Sequence, residues 1–441
     1  MSSSSSSSLS PKIGITEKLP PPPNNIRTVH ASAWGQARIS HRRRPASPSY
    51  VYETAPAPTV YVIDTGVDIG HWQFTSPSDF NPPDNISRWY GPGPEIEADT
   101  EGSSGVGVRG GGISRARLGP NFSPFSSPSP SSVSDASDVE AHHFLPHGTH
   151  VAATIAGRTL GIAPSAEIVS LQIFSSDGSS SLSALLAAIA YATVSSTSLS
   201  STSTSTSTAN PVYTNGSFTS NATITSTGNA NDNDNTTDNA NSNGSASTGN
   251  RGVPSASKGT GYSIINMSLG IGHSPVLNAA VNAAVSAGLI IVVAAGNNND
   301  NATLLSPASA EGAITVGAID GTDTRCGFSN WGESLSVFAP GEDILSAVPG
   351  PPGPVPIPGT SGISGKEIPG RKNNDTAVMS GTSMAAPHVA GLAAYFIHLY
   401  GPHTPAEMRA RIEELATVGM VKDAGKGSPN RIAFNGNLAE M

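Results

Sequence analysis

The chain has 441 residues, a net charge of −9 at neutral pH and only 12% charged residues. This excludes the basic field on which nucleic-acid binding rests; no stretch approaches the 18 apolar residues of a membrane-spanning helix, and the single cysteine, Cys326, excludes an intrachain disulfide and reads as a packed thiol. Hydrophobic residues make up 37%, and 47 Gly, 36 Pro and many Ser, Thr and Asn fill the deficit, so one core diluted by polar insertions is expected.

Residues 1–32 are Ser- and Pro-rich, too poor in apolar side chains to pack, and are expected to be disordered. They hold no basic stretch followed by an apolar run, so no secretory signal is read there. "RISHRRRP" (38–45) is a basic cluster, read as a solvated arm. "TVYVIDTGVDIG" (59–70) reads as a buried strand ending in a turn. Residues 75–140, rich in Pro, Gly and Ser, read as an insertion. "HGTHVAATIAG" (147–157) is a helix of small residues, and "AEIVSLQIF" (166–174) a strand. A helix over 179–194 follows, with Ser183 as its cap. Residues 195–258 alternate Ser and Thr and then repeat Asn, Asp, Gly and Ser; they have almost nothing to bury, and their sequons at Asn215, Asn221, Asn235 and Asn243 take glycans only in a secreted protein.

Order resumes with a strand over 262–270 and a helix over 274–288, which has Ser274 as cap, Pro275 at its first position and Gly288 at its end. "LIIVVAAGNNN" (289–299) is a strand running into a polar turn, and 313–319 and 334–340 are further strands. A Pro/Gly-rich loop over 349–374 precedes a helix opened by Ser383, with Pro387 expected in its first turn. "TPAEMRARIEELAT" (404–417) closes the chain as a helix capped by Thr404. Strands that alternate with helices of about 10–15 residues predict an α/β fold, a mostly parallel sheet with helices on both faces. Sites on such sheets gather at the carboxyl ends of strands, where Asp64 and Asn297 fall.

Three segments carry chemistry. A carboxylate at the end of an apolar strand, as Asp64 is after Val60–Ile63, needs a partner. His147 and Ser383 each open a small-residue helix. Asp, His and Ser are the parts of base-assisted acyl transfer, because a serine hydroxyl needs an imidazole to take its proton and the imidazole needs a carboxylate to orient it. "VIDTGVD", "HGTHVAATIAG" and "GTSMAAPHVAGLAAY" resemble, in this order, the signature segments of subtilisin-like serine proteases. "AWGQARIS" (33–40), "NMSLG", "VVAAGNNN", "SPAS" and "GFSNWGESLSVFAPGEDILS" are similar to the proteinase K-like branch.

That resemblance covers most of 33–75 and 147–432. It implies a three-layer subtilisin-like fold and a single peptidase domain over 33–441. It also implies a serine endopeptidase with Asp64 as orienting carboxylate, His147 as base and then acid, Ser383 as nucleophile and Asn297 as oxyanion donor. Ser268, Leu269 and Gly270 would pair with a substrate backbone, Gly178, Ser179 and Ser180 would form the facing strand, and Ala294, Ala295 and Gly296 would wall a roomy apolar pocket. Protein or peptide substrates, no cofactor, no nucleic-acid or membrane partner, a monomer and an extracellular location are what it leads one to expect.

His150 and His388 read as structural histidines, and Asp68 as a turn residue; the pair His142 and His143 has no metal role assigned. The chain also departs from the family pattern. The separation of Asp64 and His147 is unusually long, and Pro146 stands where a glycine usually precedes the histidine, restraining the backbone that must deliver His147. Ser336 replaces a calcium-binding carboxylate and Gly312 a proline in a carbonyl-donating turn, so no calcium site is expected. No room for the family's folding propeptide is read before residue 33. Two other readings stay open at this point: a non-catalytic peptide-binding relative, and a surface protein with a glycosylated loop.

Overall fold

The structure, a computed structural model, describes residues 26–31, 33–45, 48–53, 58–75, 116–123, 146–175, 177–198, 263–349 and 374–437. The chain order is β1 (Ile26–His30), α1 (Trp34–Ser40), β2 (Ser49–Glu53), β3 (Thr59–Asp64), β4 (Ala116–Asn121), α2 (Pro146–Ala156), β5 (Glu167–Gln172), α3 (Leu182–Ser198) and β6 (Ser263–Met267). Then come β7 (Ile271–Gly272), α4 (Pro275–Ser286), β8 (Ile290–Ala294), β9 (Leu305–Ser306), β10 (Ile314–Ile319), β11 (Leu335–Pro340), β12 (Ile344–Ala347), β13 (Thr376–Met379), α5 (Thr382–Tyr400), α6 (Pro405–Leu415), β14 (Thr417–Val418) and β15 (Arg431–Ile432).

Nine strands form one sheet in the order β14-β15-β11-β10-β8-β6-β3-β5-β4, parallel throughout except for the β14–β15 pair at one edge. Strands buried on both faces are apolar without interruption, and their period of two divides the core. Val60 and Val62 of β3, with Ile264, Ile290 and Val292, face α1, α2, α5 and α6; Tyr61 and Ile63, with Ile265, Ile291 and Val293, face α3 and α4. The expected three-layer α/β architecture is thus present. At its centre lies α5, buried on every side from Met384 to Ile397. A helix apolar all round has no amphipathic stripe and sits inside the protein.

Local chemistry explains most boundaries. Ser274 caps α4 by accepting from the Leu277 N–H, with Pro275 at the first helical position, and Thr404 and Glu407 form a reciprocal capping box on α6. The cap of α3 is Ser181, which accepts from the Ala184 N–H, and not the expected Ser183; the helix begins at Leu182 and takes Ser183 inside its first turn.

Three expectations are corrected. First, residues 26–30, assigned to a disordered leader, form β1 antiparallel to β2. The hairpin is anchored by Tyr50, fully buried, whose hydroxyl donates to Ile162 O at 2.6 Å. Second, the stretch taken as an insertion over 75–140 contains β4. Its Gly119 and Pro120 conceal a strand that the sheet tolerates only at its edge, where a missing N–H breaks no ladder. Third, the basic cluster is no solvated arm. Arg38, 1% exposed, makes a two-pronged pair with Asp323 at 2.7 and 3.3 Å; Arg42 lies over the Phe434 ring and Arg44 donates to Gly321 O. These contacts tie α1 and the segment after it to the far end of the chain. The insertion expected from residue 195 also starts too early, since residues 195–198 are the last turn of α3; apart from these, β4 with the two residues after it, and the end residues 75, 349 and 374, the expected insertions, with the sequons and the His142–His143 pair, lie outside the described residues.

Cys326 is buried, and burial, its largest influence, pushes the thiol up to about 12. Among the described residues no His, Cys, Asp and Glu cluster has the makings of a metal site. The carbonyls of Glu311 and Ala313, on either side of Gly312, are both occupied by the Arg409 guanidinium, while Ser336 is buried and its hydroxyl has no partner among the described residues. Among the described residues no helix is long and apolar enough to cross a membrane.

His150 and His388 are fully buried structural histidines, bonded to the carbonyls of Ile344 and Met384. Burial lowers each imidazole from 6.5 to about 4. The unfolded chain binds protons near 6.5 and the folded one resists them, so their contribution is full above pH 6.5 and is lost as pH falls toward 4. Urea unfolding measured from pH 8 to pH 4 is expected to show stability declining from about pH 6.5, above the carboxylate range. The loss approaches roughly 3 kcal/mol per histidine, at 1.36 kcal/mol per unit; a flat profile between pH 7.5 and 5 would contradict it.

Candidate functional site

Asp64 ends β3 at the carboxyl edge of the sheet, 1% exposed. A carboxylate there is held by polar contacts, and two are present on one oxygen: Oδ1 accepts from the Thr65 N–H at 2.7 Å and from His147 Nδ1 at 2.8 Å. Among the described residues Oδ2 has no partner. An ionised carboxylate only accepts, so Nδ1 of His147 carries a proton, and in the neutral imidazole Nε2 is left with its lone pair.

His147 is the second residue of α2, and Pro146 is the first. The expected conflict between Pro146 and His147 does not arise. A first helical residue has no intrahelical use for its N–H and adopts the φ that the proline ring already fixes. The close approach of α2 to β3 depends instead on Gly148. Its N–H donates to Thr65 Oγ1 at 2.9 Å, and a Cβ there would fall 2.3 Å from Gly66 O. Thr149 Oγ1 accepts from the Asp68 N–H, and Asp68 braces the turn that follows, as expected. Burial alone would lower the His147 imidazole, but the charge of Asp64 and the hydrogen bond to it outweigh burial and leave it raised above 6.5.

Ser383 is the second residue of α5, not its cap, which is Gly381. Its hydroxyl donates to Ser268 O at 3.0 Å and not to His147. Asp64 ends β3 and Ser268 follows the neighbouring parallel strand β6, so the acceptor of the Ser383 hydroxyl lies at the same end of the sheet as Asp64.

Asn297 follows β8 and Gly296. Its Oδ1 accepts from both the N–H and the hydroxyl of Thr382, at 2.8 and 2.9 Å. With the carbonyl end of the amide occupied, Nδ2 remains as a donor. The next N–H along the helix, that of Ser383, belongs to a first turn that offers no internal acceptor. Gly381 leaves open the space both donors border: a Cβ built on it would lie 3.5 Å from Asn297 Nδ2 and 3.6 Å from Ser383 N.

Ser268, Leu269 and Gly270 after β6, and Ala294, Ala295 and Gly296 at the end of β8, lie at the same edge on adjacent strands. Gly178, Ser179 and Ser180 reach that edge after β5, but they are no strand. Gly178, at φ +80°, donates to Ser175 O, Ser175 donates to Ser179 O, and Asp177 accepts from the Ser179 N–H, closing a tight turn.

Sequence reading missed Thr382, which orients Asn297, and Asn330. Asn330 is fully buried; its Oδ1 accepts from the N–H groups of Asn298 and Asp300 and its Nδ2 donates to Ala295 O, all at 3.0 Å. Nothing in the local pattern "GFSNWG" points to a turn thirty residues upstream; only the folded chain brings them together. Asn330→Ala strands these three backbone groups and is expected to destabilise the protein by about 2–3 kcal/mol in urea unfolding, with a larger fall in any activity that uses Asn297.

The model of the subtilase family matches residues 56–262 and 237–436. Subtilisin-like protease 2 of Pseudogymnoascus destructans is 34% identical over 418 residues, 94% of this chain and 70% of that protein. A cuticle-degrading serine protease of Arthrobotrys oligospora is 32% identical over 435 residues, 97% of this chain and 73% of its own. The crystal structure of a cold adapted subtilisin-like serine proteinase superposes with a TM-score of 0.55 at 25% identity, over 92% of this chain and 99% of that one. With these matches along nearly its whole length, the chain belongs to the subtilase family and is a serine-type endopeptidase.

Proposed function

We propose that the chain cleaves peptide bonds of protein substrates through an acyl-enzyme, with Ser383 as nucleophile, His147 as general base and then acid, Asp64 as the orienting carboxylate and Asn297 as oxyanion donor. The observation that carries the reading is the 2.8 Å hydrogen bond from His147 Nδ1 to Asp64 Oδ1, which leaves Nε2 as the proton acceptor. The Ser383 hydroxyl leaves Ser268 O, turns to Nε2 and gives up its proton as Oγ bonds to the substrate carbonyl carbon. The carbonyl electrons move onto oxygen, which takes hydrogen bonds from Asn297 Nδ2 and the Ser383 N–H; a donor of this kind contributes on the order of 10²–10³ in rate. Collapse breaks the C–N bond, and the imidazolium returns its proton to the departing amine. Water, deprotonated by His147, then releases the acid and restores Ser383.

Ser268–Gly270 bind the substrate main chain, and Gly178–Ser180 flank it from the opposite side as a turn. Ala294, Ala295 and Gly296 border a pocket for an apolar side chain. Their small size supports a broad preference, and Leu305, whose Cδ1 lies 2.4 Å from where a Gly296 Cβ would be, reaches over the same place. A peptide-binding relative without hydrolysis is the second reading; the Ser383 hydroxyl bonded to Ser268 O is the observation on its side.

A fluorophosphonate probe separates the two. The wild-type protein is expected to be labelled and Ser383→Ala not; a folded wild type that stays unlabelled sinks the hydrolase reading. The raised imidazole sets a further outcome. Neutral His147 is the base, so kcat/KM on a peptide substrate is expected to rise with pH through a midpoint above 6.5. In Asp64→Asn, burial acts alone: the midpoint falls below 6.5 and the rate drops by about 10⁴. An acid limb that does not move on that substitution contradicts the assignment of His147.

A further inference from the structure

Pro387 sits at the sixth position of α5, in its second turn and not the first turn where sequence reading put it. This location has a consequence at the head of the helix. Residue 387 is the one whose N–H would close the helical hydrogen bond to the carbonyl of residue 383. Proline has no N–H, and its ring crowds that carbonyl. The helix therefore leaves unpaired the main-chain carbonyl of the residue proposed as nucleophile, in a setting where an unpaired carbonyl is costly.

A side chain supplies the missing donor. The Ser268 hydroxyl donates to Ser383 O at 2.7 Å. That hydroxyl is itself held from behind: Asn266, fully buried on β6, donates Nδ2 to Ser268 Oγ at 3.0 Å. Asn266 Oδ1 has no partner among the described residues, so the relay ends there and runs one way, from Asn266 through Ser268 to Ser383. Ser268 is 4% exposed, and its main-chain oxygen receives the Ser383 hydroxyl at 3.0 Å. Two residues thus exchange two hydrogen bonds, one through each side chain.

We infer that the Ser268 side chain is a positioning residue for Ser383. Its hydroxyl replaces the N–H that Pro387 lacks and holds the first turn of α5 against the carboxyl end of β6. It touches no reacting atom; it fixes the peptide group from which the Ser383 side chain and its oxyanion N–H both depart. This role is distinct from the main-chain contact with substrate assigned to Ser268–Gly270, and it rests on the reading of Ser383 as nucleophile.

The test is a double-mutant cycle of Ser268→Ala and Pro387→Ala on the full chain. The readout is the saturation kinetics of fluorophosphonate labelling, with Ser383→Ala as blank. Ser268→Ala keeps the carbonyl that receives the Ser383 hydroxyl and removes the donor to Ser383 O. It is expected to slow the labelling rate constant on the order of 10-fold without changing the probe concentration at half-saturation. Pro387→Ala gives the helix its own N–H at that carbonyl, so in this background Ser268→Ala is expected to cost less than threefold. A Ser268→Ala protein that labels at the wild-type rate, or a penalty equally large in both backgrounds, overturns the inference.

Melting temperatures of the four proteins provide a second readout that does not depend on labelling. A smaller loss for Ser268→Ala in the Pro387→Ala background supports the relay, and equal losses overturn it. An unlabelled wild type removes the proposed function, and the melting cycle then judges the relay by itself.

Discussion

The molecule is organised around one buried helix. α5 is buried from Met384 to Ile397, enclosed by the sheet on one side and by α1, α2 and α6 around the rest. Apolar surface removed from water contributes about 25 cal/mol per Å², so sliding or tilting α5 would disturb the larger part of one core layer. The backbone of its first turn is consequently held with the core. Ser383 occupies that turn, and the small residues behind it, Ala385, Ala386, Ala390 and Gly391, are what let so central a helix pack this closely. At Gly391 a Cβ would come within 2.8 Å of Ile162.

The parallel sheet supplies the remaining geometry. Every parallel crossover returns the chain to the same end of the sheet, so β3, β5, β6 and β8 all discharge their following loops at one edge. Asp64, Ser268 and Asn297 are far apart in sequence and near in space for that reason alone. The loops are then locked by side chains with no part in the proposed reaction. Thr65 receives the Gly148 N–H, Thr382 fixes Asn297, and Asn330 fixes the turn that carries it. Each of these uses a hydrogen-bonding group that the ends of helices and strands leave over.

Legibility in the sequence divides along the same lines. Interior strands such as Val60–Ile63 and Ile290–Ala294 declare themselves because burial on both faces demands uninterrupted apolar residues. Ser274 and Thr404 declare their helices because caps are local. The family motifs carry Asp64, His147, Asn297 and Ser383. What stays hidden is decided at a distance. β4 contains Gly119 and Pro120, and it is a strand only because β5 offers an edge. Arg38 looks solvated until Asp323 arrives from nearly three hundred residues away. Pro146 looks obstructive until the helix is seen to begin on it. Gly178 to Ser180 resembles a strand by family, yet Asp177 and the positive φ of Gly178 close it into a turn. Thr382 and Asn330 have no local signature, because their partners are main-chain groups of another loop.

The hydroxyl of Ser383 has two acceptors within the proposed reaction, and their balance is informative. At rest it donates to Ser268 O, a neutral carbonyl; to react it must turn to Nε2 of His147. Exchanging one hydrogen bond for another of similar strength shifts an equilibrium by about 1 kcal/mol, a factor of roughly five. Rotation of a side chain takes no longer than nanoseconds, whereas turnover in typical enzymes takes milliseconds or more. The resting bond therefore imposes no kinetic barrier of consequence. What it does impose is a fixed starting point, because the residue it points to is tied to the main chain of Ser383 by the Ser268 hydroxyl. A serine free to sample every rotamer would spend much of its time away from the base. One restrained by its neighbour on both the carbonyl and the hydroxyl starts from a single defined position.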